Sequence, residues 1–66
     1  MTIVYQGRDV ETDAATAAGF LAARGIDPAQ AIVECDGEVY APGADLEKVV
    51  LRPGAALDVF RLTAGG

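Results

Sequence analysis

One segment of the chain has helical spacing, and the segments on both sides of it have the pattern of strands and turns. The alanine-rich stretch ATAAGFLAAR, residues 15–24, places Ala14, Ala17, Ala18 and Leu21 on one face, and Phe20 widens that face. A single helix can cover only one side of a sheet. The chain is therefore restricted to a small α+β architecture in which the second side of the sheet has no helix to cover it.

Residues at both ends of this stretch have the chemistry of helix caps. Thr12 or Asp13 can accept a hydrogen bond from the first helical turn, so we expect the helix to begin there. Gly25 is suited to the left-handed residue that follows a helix, and Ile26 then stands where an apolar side chain packs back on Leu21. The end of the helix is the best-defined boundary in the sequence.

Two β-hairpins are predicted, one before the helix and one after it. In TIVYQGRDVET, residues 2–12, Gln6-Gly7 supplies the turn, and alternation places Met1, Ile3 and Tyr5 on one face. In AIVECDGEVY, residues 31–40, the turn is Asp36-Gly37, a strong signal for a two-residue connection. Both hairpins therefore have tight turns that fix their register.

The segment APGADLEKVVLRPG, residues 41–54, is predicted to be irregular, with a short helical turn around Ala44 to Lys48. Apolar residues spaced along it are candidates to anchor it on the core, and Arg52-Pro53-Gly54 has the composition of a turn. The anchoring candidates are Leu46, Val49 and Leu51.

The last strand is predicted in LDVFRLT, residues 57–63. Alternation gives Leu57, Val59 and Arg61 one face and places Phe60 and Leu62 on the other, so both faces carry apolar side chains. Because only one helix is available, Phe60 and Leu62 are candidates for an exposed apolar patch that binds a partner, with ordinary packing as the alternative. Arg61 is more simply explained as a solvated side chain.

These elements predict one domain over residues 1–66 with a flexible tail at 64–66. The fold class is an α+β roll with a mixed sheet of four to five strands and one main helix on one face. No internal repeat, linker or low-complexity segment divides the chain.

The composition argues against several classes of function. The chain has no histidine, so Ser-His-Asp and Cys-His nucleophilic catalysis would lack their base, and it also has no serine. Independent enzymatic activity is therefore not expected. One cysteine and no histidine leave no metal framework, and Cys35 is best explained as a small buried residue. A net charge of −5 disfavours nucleic acid and anionic lipid as partners and favours a protein with a basic patch.

No signal segment opens the sequence, and no apolar run approaches the ~20 residues that cross a bilayer. A cytoplasmic location without membrane association is the expectation that follows.

The order of elements resembles the ubiquitin-like β-grasp sulfur carriers, and most closely the ThiS-like sulfur carriers of thiamin biosynthesis. Three stretches carry the resemblance: MTIVYQGRDVE, AIVECDGEVYAP and RPGAALDVFRLTAGG. The sequence departs from the family pattern at two turns, where Asp36-Gly37 replaces Asn-Gly and Arg52-Pro53-Gly54-Ala55 replaces an acidic turn. Within the same superfamily, the small subunit of molybdopterin synthase is the second choice, because it is generally longer than this sequence.

The resemblance implies a ubiquitin-like β-grasp fold and a role as a protein co-substrate. A ubiquitin-activating-like adenylyltransferase would adenylate the carboxylate of Gly66, and sulfur from a persulfide donor would convert it to a thiocarboxylate. Thiazole synthase, or another sulfur-accepting enzyme, would then take the sulfur. Gly65 and Ala64 would thread into the partner, because glycine has no Cβ and adopts most backbone conformations. The chain would bind no cofactor itself, and ATP would be used by the activating partner.

Three alternatives remain open from the residues. A sulfur carrier could supply molybdopterin or sulfur-amino-acid synthesis instead of thiazole formation. A ubiquitin-like modifier would use the same activation but join Gly66 to a lysine of a target protein. A small binding module of toxin–antitoxin type would have an incidental tail, and deleting Gly65 and Gly66 would leave its function intact.

Overall fold

The computed structural model describes residues 1–62, which form five strands, one α-helix and two 3-10 helices. The strands are β1 (Thr2–Tyr5), β2 (Arg8–Glu11), β3 (Ala31–Cys35), β4 (Glu38–Tyr40) and β5 (Ala56–Arg61). The α-helix, α1, is Ala17–Ala23, and the 3-10 helices are Pro28–Gln30 and Leu46–Lys48. The predicted tail residues Ala64, Gly65 and Gly66 lie outside the described residues.

The five strands form one mixed sheet in the order β2-β1-β5-β3-β4. The central strand, β5, runs parallel to β1 and antiparallel to β3, while each hairpin pairs its own two strands antiparallel. Hence no strand of the first hairpin pairs with a strand of the second, and β5 lies between the two hairpins and pairs with both. This arrangement confirms the predicted α+β roll, with five strands at the upper end of the expected number.

One face of the sheet is covered, and the core lies beneath it. The apolar residues of α1, of the segment 41–55 and of the inward faces of β1, β3 and β5 form a single cluster. The predicted anchors Leu46, Val49 and Leu51 are all buried in it, and the predicted helical turn is the second 3-10 helix. The buried members are Ile3, Ala17, Phe20, Leu21, Ile26, Ala31, Val33, Cys35, Leu46, Val49, Leu51, Ala55, Leu57 and Val59.

The predicted start of the helix was wrong by one turn. Thr16, rather than Thr12 or Asp13, is the N-cap, and its hydroxyl oxygen accepts a hydrogen bond from the Gly19 N–H at 3.2 Å. The residues before it are held in a different way: Leu51 N–H donates to the Ala15 carbonyl at 2.9 Å, and Ala17 N–H donates to the Val49 carbonyl at 2.9 Å. This pairing with a distant segment keeps Thr16 extended and delays the first helical turn.

The end of the helix is as predicted. Gly25 has a φ of 70°, and its N–H donates to the Ala22 carbonyl at 3.1 Å. Ile26 N–H donates to the Leu21 carbonyl at 2.9 Å, and the side chains of Ile26 and Leu21 are both buried in the core. These two hydrogen bonds form a Schellman motif, in which only glycine takes the left-handed position without strain.

Candidate partner-docking surface

The central strand begins at a contact with the turn of the second hairpin. Asp36, the first turn residue, has a φ of 50°, and Gly37 follows with a φ of 88°, as a type I′ turn requires. The Asp36 N–H donates to the Ala56 carbonyl at 2.9 Å, and the Ala56 N–H donates to Asp36 Oδ1 at 2.9 Å. A turn residue thereby continues the β3–β5 pairing past the end of β3.

The turn of the first hairpin contacts the other edge of the same strand. Gln6 has a φ of 51° and precedes Gly7 at 80°, so this is also a type I′ turn. The Gln6 side-chain amide nitrogen donates to the Val59 carbonyl at 2.9 Å, and the Val59 N–H donates to Gln6 Oε1 at 3.0 Å. The Gln6 amide therefore takes the place of a further β1 residue as the hydrogen-bond partner of Val59. As a result, β5 is hydrogen-bonded on both edges even beyond the end of β1.

A third contact holds the far end of β5, where the tail departs. Leu62 N–H donates at 2.7 Å to the carbonyl of Gln30, the last residue of the first 3-10 helix. That helix is itself capped, because Asp27 Oδ1 accepts a hydrogen bond from Ala29 N–H at 2.9 Å. The position from which the chain leaves the sheet is thus fixed as far as Leu62.

The second face of the sheet has no helix over it among residues 1–62, and we call it the open face. Phe60 lies on this face, and Leu62 follows just after the end of β5. Both predicted patch residues are exposed. Phe60 is 55% exposed and Leu62 is 45% exposed, whereas Leu57 and Val59, which alternate with them, are buried. Ile32 is the cross-strand neighbour of Phe60 and is half-buried. We call Ile32, Phe60 and Leu62 the apolar patch. Whether it binds a partner stays a prediction.

Arg61 does not belong to this patch. It pairs with Ala31 across the strands, and Ala31 is buried on the helix-covered face, so the Arg61 side chain starts from that face at the end of the strand. An exposed position at the rim agrees with the interpretation of Arg61 as a solvated residue.

Cys35 lies at the end of β3, buried on the helix-covered face. Burial raises the pKa of the Cys35 thiol, and the nearby carboxylate of Asp36 raises it further. A thiol held in its protonated form is a poor nucleophile and a poor metal ligand. The cysteine therefore contributes packing and has no place in the candidate site.

A cleft of about 460 Å³ lies outside the apolar patch in the described part of the chain. It lies beside α1 and includes no residue of β5. Its lining residues are Glu11, Thr12, Asp13, Ala14, Gly19 and Ala23. Its charged groups are two exposed carboxylates, which do not suit the binding of an anionic cofactor such as a nucleotide. We assign it no role.

Sequence reasoning missed the roles of Gln6 and Asp36 in fixing β5. Both were recognised only as turn residues. The same sequence signal marks both residues. Each is a polar residue at the first position of a tight turn, followed by glycine, so its side chain can hydrogen-bond a strand that lies beside the hairpin. That signal becomes informative only once β5 is known to lie between the two hairpins.

No protein-family model matches this sequence, and no curated protein matches it significantly. A solved structure does: the crystal structure of the thiamine biosynthesis protein ThiS from Geobacter metallireducens, at 24% sequence identity and a TM-score of 0.75. The match covers 100% of both chains. The fold is therefore that of a ThiS protein throughout, which confirms the predicted ubiquitin-like β-grasp roll.

None of the helices among residues 1–62 is long and apolar enough to cross a membrane.

Proposed function

We propose that this protein is a sulfur carrier of the ThiS type, with the Gly66 carboxylate as its reactive group. The observation that carries the proposal is the match in fold to a thiamine biosynthesis protein over the full length of both chains. The end of β5 supports it, because three anchors at Ala56, Val59 and Leu62 fix the strand that leads into the tail. A tail that leaves from a fixed position can be aimed into another protein's active site.

The proposed chemistry begins with activation by a partner enzyme. A ubiquitin-activating-like adenylyltransferase would join the Gly66 carboxylate to the α-phosphorus of ATP, releasing pyrophosphate and leaving an acyl adenylate. This converts a poor electrophile into one with AMP as a good leaving group. ATP would belong to the partner, and the carrier would bind no cofactor of its own.

Sulfur would enter in the second step. The terminal sulfur of a persulfide donor attacks the acyl carbon and displaces AMP, which gives an acyl disulfide. A thiol then cleaves the sulfur–sulfur bond, releasing the thiocarboxylate and forming a disulfide with the donor. The thiocarboxylate is the form in which the carrier would deliver sulfur to an accepting enzyme, with regeneration of the carboxylate.

In this proposal the protein is a co-substrate rather than an enzyme. The apolar patch would bind the activating enzyme, and Ala64 and Gly65 would thread the carboxylate into its nucleotide site. We propose the cytoplasm as the location of these reactions and thiazole synthase as the accepting enzyme. An acceptor in molybdopterin or sulfur-amino-acid synthesis is the alternative.

Mass spectrometry of the intact protein purified from its own cells tests the proposal. We expect a fraction of molecules heavier by the difference between sulfur and oxygen, with the change located at Gly66 by fragmentation. A variant lacking Gly65 and Gly66 should show no such fraction. Conjugates of higher mass with an isopeptide bond at Gly66 would instead identify a protein modifier, and would overturn the proposal.

A further inference from the structure

The helix-covered face of the sheet carries strand residues of both charges, whereas the charged strand residues on the open face are all acidic. Cross-strand pairing places Arg8, Glu38 and Arg61 on the helix-covered side. Their partners are the buried Cys35 and Ala31 and the partly buried Tyr5, which packs against the core. Among the charged residues of the strands, the opposite parity places only acidic ones on the open face. These are Asp9, Glu11, Glu34 and Asp58.

Two of these carboxylates are direct neighbours. Glu34 on β3 and Asp58 on β5 are cross-strand partners, and both are half-buried. Like charges directly opposite each other destabilise a sheet. Within residues 1–62, no lysine, arginine or amino-terminal nitrogen lies within 4.0 Å of either carboxylate, whereas Glu11 has the Met1 amino group at 3.7 Å. The pair therefore forms no salt bridge within the described part of the protein.

The acidic pair adjoins the apolar patch. Ile32 and Phe60 are cross-strand partners two residues along from Glu34 and Asp58, on the same face of the same two strands. Two apolar and two acidic side chains thus form one compact block at the centre of the open face. An isolated apolar patch would bind many surfaces, but this block fits one that offers an apolar pocket beside a cation.

We propose that this block binds the activating enzyme, with Phe60 in an apolar pocket and an arginine or lysine of the enzyme set between Glu34 and Asp58. The inference rests on the proposed function. Residues opposite each other across a ladder have Cα atoms about 5 Å apart, which brings both carboxylates within reach of one guanidinium group. The enzyme must also hold cationic groups near the ATP phosphates. The entrance to its nucleotide site is therefore expected to have a positive potential, which attracts a carrier of net negative charge.

The test uses the full-length carrier and the activating enzyme from the same cell. The measured quantity is the KM for the carrier in carrier-dependent exchange of pyrophosphate into ATP. We expect the double variant Glu34→Gln, Asp58→Asn to raise KM about tenfold or more and to leave kcat nearly unchanged. The matched control is Glu38→Gln, which removes an exposed charge from β4 on the other face and should change KM less than about twofold.

Two further readouts separate docking from folding. The wild-type KM should rise with ionic strength, and the KM of the double variant should respond less, because its charge attraction has been removed. The double variant should melt no lower than the wild type, since it relieves a like-charge pair. A loss of affinity without a loss of stability is the signature of a docking pair.

The inference is overturned if the KM of the double variant stays within about twofold of the wild type, or if Glu38→Gln raises KM equally. Failure of the proposed function is a different result: the wild-type carrier itself would then support no exchange. That outcome overturns both, because the docking inference depends on activation of the carrier.

Discussion

The side chain of Gln6 and the backbone of Val59 form two reciprocal hydrogen bonds, of 2.9 and 3.0 Å, although the residues are 53 positions apart. An amide side chain has the same donor and acceptor as a peptide group, so it can continue a strand ladder where the strand itself has turned away. Asp36 makes a similar connection to Ala56 from the second hairpin. The central strand is thus fixed at both edges by the two turns.

Replacing Gln6 by methionine should lower the free energy of unfolding by about 1–3 kcal/mol. Methionine has nearly the same shape but no amide, so Val59 N–H and C=O would lose their partner. Urea denaturation measures the change, and amide hydrogen exchange at Val59 should accelerate. Gln30→Met is the matched control, because the structure shows only the backbone of Gln30 in hydrogen bonds. Equal losses in the two variants would contradict the role given to the Gln6 amide.

The exposure of Phe60 predicts a separation between stability and partner binding. Phe60→Ala should lower the free energy of unfolding by less than about 1 kcal/mol, since the side chain is already 55% exposed. The same substitution at Phe20, which is 2% exposed and lies in the core, should cost about 3–5 kcal/mol. Chemical denaturation gives both values, and the KM of the activating enzyme should rise for Phe60→Ala. A stability loss as large as that of Phe20→Ala would assign Phe60 to packing instead.

The observed start of α1 predicts which polar residue supports the helix. Thr16→Ala should cost about 1 kcal/mol, because the Gly19 N–H loses its acceptor. Asp13→Ala, at an exposed residue that makes no capping contact among residues 1–62, should change stability by no more than about 0.5 kcal/mol. Urea denaturation of both variants is the measurement. A larger loss of stability for Asp13→Ala than for Thr16→Ala would instead support the helix start predicted from the sequence.

The raised pKa of the Cys35 thiol predicts an alkaline loss of stability. The folded state holds this proton more tightly than the unfolded state, whose thiol titrates near its ordinary value of 9.0. Stability from this group is therefore complete below that value and is lost as pH rises through the higher folded pKa. Denaturation of wild type and Cys35→Ala at a series of alkaline pH values should give a difference that shrinks with increasing pH. A difference independent of pH would contradict the prediction.

Local chemistry made several features of the fold predictable. The turns at Gln6-Gly7 and Asp36-Gly37 and the helix end at Gly25 each depend on a few neighbouring residues that favour one backbone conformation. Alternation along the last strand likewise predicts that Phe60 lies on the opposite face of the sheet from Leu57 and Val59. The structure confirms this, because Phe60 is exposed and the other two side chains are buried. A period of two residues determines the face of a strand without knowledge of its neighbours.

Long-range pairing explains what could not be predicted. The helix begins late because Ala15 and Ala17 bond to Leu51 and Val49, which lie more than thirty positions away. The acidic pair of Glu34 and Asp58 exists only because β3 and β5 are neighbours in this register. Neither relationship leaves a local trace in the sequence, since each depends on strand order.

The central position of β5 has a consequence for synthesis of the protein. This strand follows the other four in the chain, yet it supplies the neighbour that both β1 and β3 require. Domains assemble as cooperative units, and a hairpin alone is marginal in water. A ribosome that stalls before residue 56 would release two unjoined hairpins with their apolar faces uncovered, which quality-control proteases recognise. Any chain that reaches the folded state must already include the strand that leads into its tail.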